Sequence, residues 1–110
     1  MKDLESIKKD IITRLEPLEL DQVILFGSYA YGTPTHESDL DLYVVTKDEF
    51  TPQSFREKST LTKKVSKAIR DLRSQIAIDL IVHTQSMHKN FKELNSSFSK
   101  ELFEKGIALL

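Results

Sequence analysis

Val23-Ile24-Leu25-Phe26-Gly27-Ser28, then ten residues, then Asp39-Leu40-Asp41-Leu42-Tyr43-Val44-Val45 is the stretch that decides the fold of this chain. Four apolar residues in a row ending at a glycine predict a buried strand covered on both faces. Ser28-Tyr29-Ala30-Tyr31 leaves room for one helical turn before Gly32. Backbone N–H groups at Gly27 and Ser28 are then expected to point outward where a helix begins, which suits an anionic phosphate, with the Ser28 hydroxyl as a further donor. The alternation and β-branched end of residues 38–45 predict a second strand, and residues two apart on a strand face the same way. Asp39 and Asp41 are therefore expected side by side. Two carboxylates that close repel, and each resists losing its water, so the pair is costly unless a cation sits between them. Hard divalent cations such as Mg²⁺ take such oxygen ligands and usually share them with substrate phosphates. The competing reading is a solvated acidic edge strand, and the apolar run from Leu42 to Val45 argues against it.

A third carboxylate stands where an apolar residue is expected. Ile76-Ala77-Ile78-Asp79-Leu80-Ile81-Val82 reads as an ordinary core strand except for the charge at its middle. An unpaired carboxylate there would cost several kcal/mol. Asp79 is thus expected to meet a cation or a donor, and a metal already held by Asp39 and Asp41 would supply one. Its alternative is a place at a strand edge beside a lysine or arginine.

These three pieces, Gly27-Ser28, Asp39-x-Asp41 and a later strand carrying Asp79, resemble the DNA polymerase beta-type nucleotidyltransferase superfamily. The short chain is similar to its minimal nucleotidyltransferase (MNT) branch, which includes antitoxin partners of HEPN-domain ribonucleases. The likeness runs from about Val23 to Val82. The ending Phe103-Glu104-Lys105-Gly106-Ile107-Ala108-Leu109-Leu110 also echoes the branch, with a helix that stops at glycine and leads into a short apolar strand. The resemblance implies an α/β (α+β) fold, a small mixed β-sheet with helices packed on it. It implies a Mg²⁺-dependent transfer of AMP from ATP to an acceptor hydroxyl, most simply a tyrosine of a partner HEPN toxin. Asp39 and Asp41 would hold the metal that bridges the triphosphate. Asp79 would complete the site for a second metal or help take the acceptor's proton, and Gly27 and Ser28 would hold the leaving phosphates. Two other readings are an antitoxin that acts by occlusion without catalysis and a small-molecule adenylyltransferase of the aminoglycoside-modifying kind.

Composition fits one domain spanning residues 1–110, with whatever completes the site coming from another chain or from the substrate. The absence of cysteine excludes disulfides and thiolate metal sites. No apolar run approaches the length of a membrane span, and the N-terminus has no signal-like apolar core, so a soluble cytoplasmic protein is the expectation. Outside the motif the chain reads as scaffold. Leu4, Ile7, Ile11, Ile12 and Leu15 recur at helical spacing before Pro17. A long helix is predicted from Pro52 or the Ser54-x-x-Glu57 capping box, carrying Leu61, Val65, Ala68, Ile69 and Leu72. Thr84 and Ser97 are candidate caps for two further helices, the last one stopping at Gly106.

Charge is nearly balanced, with a formal net of -1. Arg56, Lys63, Lys67 and Arg70 fall near one stripe of the long helix, which reads as a solvated face. With that net charge and no aromatic residues between the basic ones, direct nucleic-acid binding is not expected. His36 reads as a solvated loop histidine. His83 and His88 have no cysteine beside them and do not match a compact zinc spacing. Tyr29 and Tyr31 read as partly buried packing residues on a short helix.

Overall fold

The computed structural model describes residues 3–32, 34 and 39–110; His36 lies outside them. Leu4, Ile7, Ile11 and Leu15 line one side of helix α1 (Leu4–Leu15), and Ile7, Ile11 and Leu15 are buried. Asp3 starts the helix by accepting a hydrogen bond from Ser6 N at 2.8 Å. A short 3₁₀ turn at Glu16–Leu18 takes the chain to strand β1 (Gln22–Phe26), whose Val23 to Phe26 are all buried as the apolar run requires.

After β1 come a one-turn helix α2 (Ser28–Tyr31) and strand β2 (Leu40–Val45). Ser54 caps helix α3 (Phe55–Ala68) by accepting from Glu57 N, while the Glu57 carboxylate accepts from Gln53 N at 2.8 Å. The single long helix expected here breaks at Ile69 and continues as α4 (Arg70–Arg73). Ile69 N donates to Ser66 O, a tighter turn than the α-helix makes, and the break lets both Ile69 and Leu72 reach the core. Strand β3 (Ile78–His83), helix α5 (Gln85–Leu94), helix α6 (Ser97–Lys105) and the two-residue strand β4 (Ile107–Ala108) complete the chain. Thr84 caps α5 as expected; the cap of α6 is Ser96, one residue before the expected Ser97.

The sheet order is β3-β2-β1-β4, with β1 antiparallel to both β2 and β4, and β2 parallel to β3. The mixed sheet expected from the resemblance is present. Alternation divides its residues between two cores. Val23, Leu25, Leu40, Leu42, Val44, Ile78 and Val82 face α1 and α3, together with Tyr29 from α2. Ile24, Phe26, Tyr43 and Val45 face the other way, with Leu102 of α6 and Phe91 of α5.

Candidate functional site

Asp41 belongs to the second of these faces, two residues before Tyr43. Its antiparallel partner on β1 is Phe26 and its parallel partner on β3 is Asp79. Register partners point to the same side of a sheet, so the structure brings Asp41 and Asp79 together at the start of β2 and β3. Asp39 lies just ahead of β2, exposed, and the bond from Leu40 N to Ala77 O at 2.9 Å fixes the chain where it enters the sheet.

Gly27 closes the site from the β1 side. It has φ +76 and ψ -160, a conformation that essentially only glycine adopts without strain, and a Cβ there would collide with Asp41 Oδ2. The glycine thus ends the strand, turns the chain into α2 and leaves space for a carboxylate against its backbone. Ala30 N and Tyr31 N both donate to Gly27 O at 3.0 Å. The N–H groups of Ser28 and Tyr29 precede these bonds, as at the start of any helix. Tyr29 is buried in the core, as expected of a packing residue, whereas Tyr31 is half-buried beneath the ammonium of Lys105, 5.8 Å from its ring centroid.

The electrostatics are those of crowded carboxylates. Burial pushes the Asp41 carboxyl up from 3.8 to about 6, and the neighbouring charges of Asp79 and Asp39 and a hydrogen bond with Asp79 add to the rise. Without a cation, Asp41 takes up a proton more readily than an ordinary carboxylate. Among the described residues no three acidic or imidazole side chains are gathered into a ready-made metal site. The donor set is nonetheless the hard, anionic kind that a divalent cation takes, and a cation would relieve each repulsion that raises Asp41. Asp79 itself is exposed, which departs from the buried position its sequence suggests. The reason is that β3 is an edge strand, so its polar side faces water. Its charged neighbour is another carboxylate.

Further along the same face lies a group that sequence reasoning missed. The buried Tyr43 hydroxyl lies 3.0 Å from His83 Nδ1 and 2.7 Å from His88 Nδ1. A hydroxyl has one hydrogen, so it donates to one imidazole and accepts from the other. Phe91 stacks on Tyr43 at 5.4 Å, and Phe103 meets it edge-on at 6.0 Å. Burial and the nearby charges of Lys58 and His88 push His83 down to about 4; burial and Lys92 lower His88, with Asp21 opposing. Both imidazoles therefore resist taking a charge more than a free histidine does. The only sequence signal for this cluster was the shared register of Tyr43 and His83 to within two positions, legible once the strand pairing is known.

Among the described residues no helix is long and apolar enough to cross a membrane. Residues 9–109 match the family described as "Polymerase beta, Nucleotidyltransferase". Two proteins of Methanocaldococcus jannaschii named as protein adenylyltransferases are similar to the chain. One is 33% identical over 99 residues, covering 90% of this chain and 94% of its own length. The other is 30% identical over 90 residues, covering 82% and 78%. The fold is shared with a chain of a toxin–antitoxin crystal structure with AMP-PNP, at a TM-score of 0.58 and 22% identity over 94% of this chain and 72% of the other. It is shared also with a chain of the complex of tri-AMPylated Shewanella oneidensis HEPN toxin with MNT antitoxin, at a TM-score of 0.51 and 20% identity over 96% and 71%. With the glycine turn and paired aspartates on one sheet face and the match running through nearly the whole sequence, the chain belongs to the polymerase beta nucleotidyltransferase family.

Proposed function

We propose that this nucleotidyltransferase moves AMP from ATP onto a hydroxyl of a partner protein, a tyrosine of a HEPN-domain toxin. The observation that carries the reading is Asp41, seated against the Gly27 backbone and coupled to Asp79 and Asp39. The naming of the similar proteins as protein adenylyltransferases supports AMP transfer to protein. The likeness in fold to toxin–antitoxin structures supports the choice of partner.

Gly27 and Ser28 would hold the β- and γ-phosphates at the start of α2, where backbone N–H groups favour an anion. Asp39, Asp41 and Asp79 would hold Mg²⁺, which when bound neutralises the phosphate charge and polarises the α-phosphorus. The acceptor oxygen forms a bond to that phosphorus while the bond from phosphorus to the β-phosphate oxygen breaks. The bonding pair leaves with pyrophosphate. The acceptor's proton goes to a site carboxylate, for which the exposed Asp79 is best placed.

Co-expression with the product of the neighbouring gene tests the reading. A stable complex should form, and ATP with Mg²⁺ should add AMP-sized mass increments to the neighbour that Asp39→Asn eliminates. A complex without mass gain would instead support inhibition by occlusion. No complex, with a small molecule adenylylated by the isolated chain, would overturn the protein acceptor.

A further inference from the structure

The start of α2 has a charge problem. Gly27-Ser28-Tyr29-Ala30-Tyr31-Gly32 contains no cationic side chain, and the adjoining site contributes Asp39, Asp41 and Asp79. A divalent cation held by these carboxylates would offset part of the charge of a nucleotide polyphosphate, and the turn itself offers the outer phosphates no cationic side chain.

The last helix supplies one. β4 pairs with β1 through Leu25↔Ile107 and Ile24↔Ala108. Lys105 is the last residue of α6, and Gly106 after it lies against Ile24 and the Leu25 carbonyl, near the end of β1 that leads into Gly27. The approach is close, because a Cβ on Gly106 would run into the Leu102 carbonyl and Ile24 Cγ2. This contact fixes the end of α6 against β1. Lys105 Nζ rests 5.8 Å from the centre of the Tyr31 ring, and Tyr31 N is bonded to Gly27 O. Lys105 takes no part in the Lys8–Glu5 and Arg14–Asp71 ion pairs. An exposed cation–π contact is weaker than a charge-assisted hydrogen bond to a phosphate oxygen, so the ammonium can leave the ring when a phosphate arrives.

We propose that Lys105 is the cation that binds the β- and γ-phosphates of the nucleotide and stabilises pyrophosphate as it leaves, with the Tyr31 ring as its resting place. This rests on the nucleotidyl-transfer reading above and adds to it a binding residue from the end of the chain, outside the glycine–aspartate motif.

Calorimetric titration of the intact chain with ATP and with AMP, each with Mg²⁺, tests it. The wild type should bind ATP more tightly than AMP. Lys105→Ala should weaken ATP binding about tenfold, the loss of one charge-assisted contact, and leave AMP binding unchanged. Lys105→Arg should recover most of the ATP affinity, and Lys100→Ala, on the exposed part of α6, should have no effect. Lys105→Ala binding ATP as tightly as the wild type would overturn the proposal, as would an equal loss for ATP and AMP. A wild-type chain that binds neither nucleotide would overturn the nucleotidyl-transfer reading itself, a result distinguishable from the other two.

Discussion

Asp41 and Tyr43 are two residues apart on one strand and point to the same face, yet their surroundings treat polar groups in opposite ways. At the Asp41 end, carboxylates meet carboxylates beside a glycine backbone, and Asp41 is raised to about 6. At the Tyr43 end, α5 and α6 cover the sheet with Phe91 and Phe103, and the hydroxyl is matched by two imidazoles whose charging burial opposes. One end leaves a charge conflict for a ligand to resolve. The other resolves its polar groups internally, and no buried polar side-chain atom among the described residues lacks a partner. The contrast separates the candidate site from a cluster that ties the covering helices to the sheet.

The largest expected effects fall at the carboxylate end. Asp41→Asn should lower AMP transfer on the order of 10²–10³-fold or more, since it removes an anionic ligand with little change of shape, as measured by mass increments on the partner. The same variant should melt at the same or a higher temperature than wild type in metal-free neutral buffer, because it ends the repulsion among the three aspartates. Gly27→Ala should lose transfer as severely for a different reason, because its Cβ displaces Asp41 and its φ is unfavourable. Unlike Asp41→Asn it should also destabilise, by about 1–3 kcal/mol, as read by denaturant unfolding.

Tyr43→Phe should invert this pattern. It leaves the buried His88 and half-buried His83 without their shared partner, which costs about 1–3 kcal/mol, while transfer measured well below the melting temperature should persist. Loss of transfer by a folded Tyr43→Phe would break the division between the two ends.

The pH dependence sharpens the comparison. The folded state holds Asp41 near 6 against 3.8, so folded protein takes this proton first, and the contribution to stability rises as pH falls from about 6 towards 3.8. The folded state holds His83 near 4 against 6.5, so the unfolded chain takes that proton first, and stability is lost as pH falls from 6.5 towards 4. The two ends oppose each other across almost the same window. Melting curves of metal-free Asp41→Asn should therefore lie at or above wild type near pH 7.5 and converge with it near pH 4. The smallest effect is expected at Phe55, which is 85% exposed at the start of α3. Phe55→Ala should change stability by no more than about 0.5 kcal/mol.

Much of the candidate site's layout was legible because its parts are local. Gly27 and Ser28 follow an apolar run, and Asp39 and Asp41 have the period of a strand, so their meaning needs only nearest neighbours in sequence. Asp79 was legible as an anomaly in an apolar strand, and of the two readings the strand edge is the position it takes, with a carboxylate rather than a lysine or arginine beside it. Whether a strand lies at the centre or the edge of a sheet is not encoded in its own residues. The cluster of Tyr43, His83 and His88 was missed for a similar reason: its members come from β2, the end of β3 and α5, and their meeting depends on strand order and on how α5 folds back. The break at Ile69 escaped notice because the apolar spacing of a continuous helix and of a broken one is nearly the same over a single turn.

The sequence by itself determined the short-range chemistry: a glycine where the backbone must turn with positive φ, carboxylates at strand spacing, caps at Asp3, Ser54 and Thr84, and an apolar period for each element. These depend on interactions within a few residues, where backbone geometry fixes distances. Only the tertiary structure decided that β3 is an edge strand, that Asp79 stands beside Asp41, and that α6 brings Lys105 over the Tyr31 ring of α2. Such contacts join residues far apart in sequence, and they are selected by the packing of whole faces against one another.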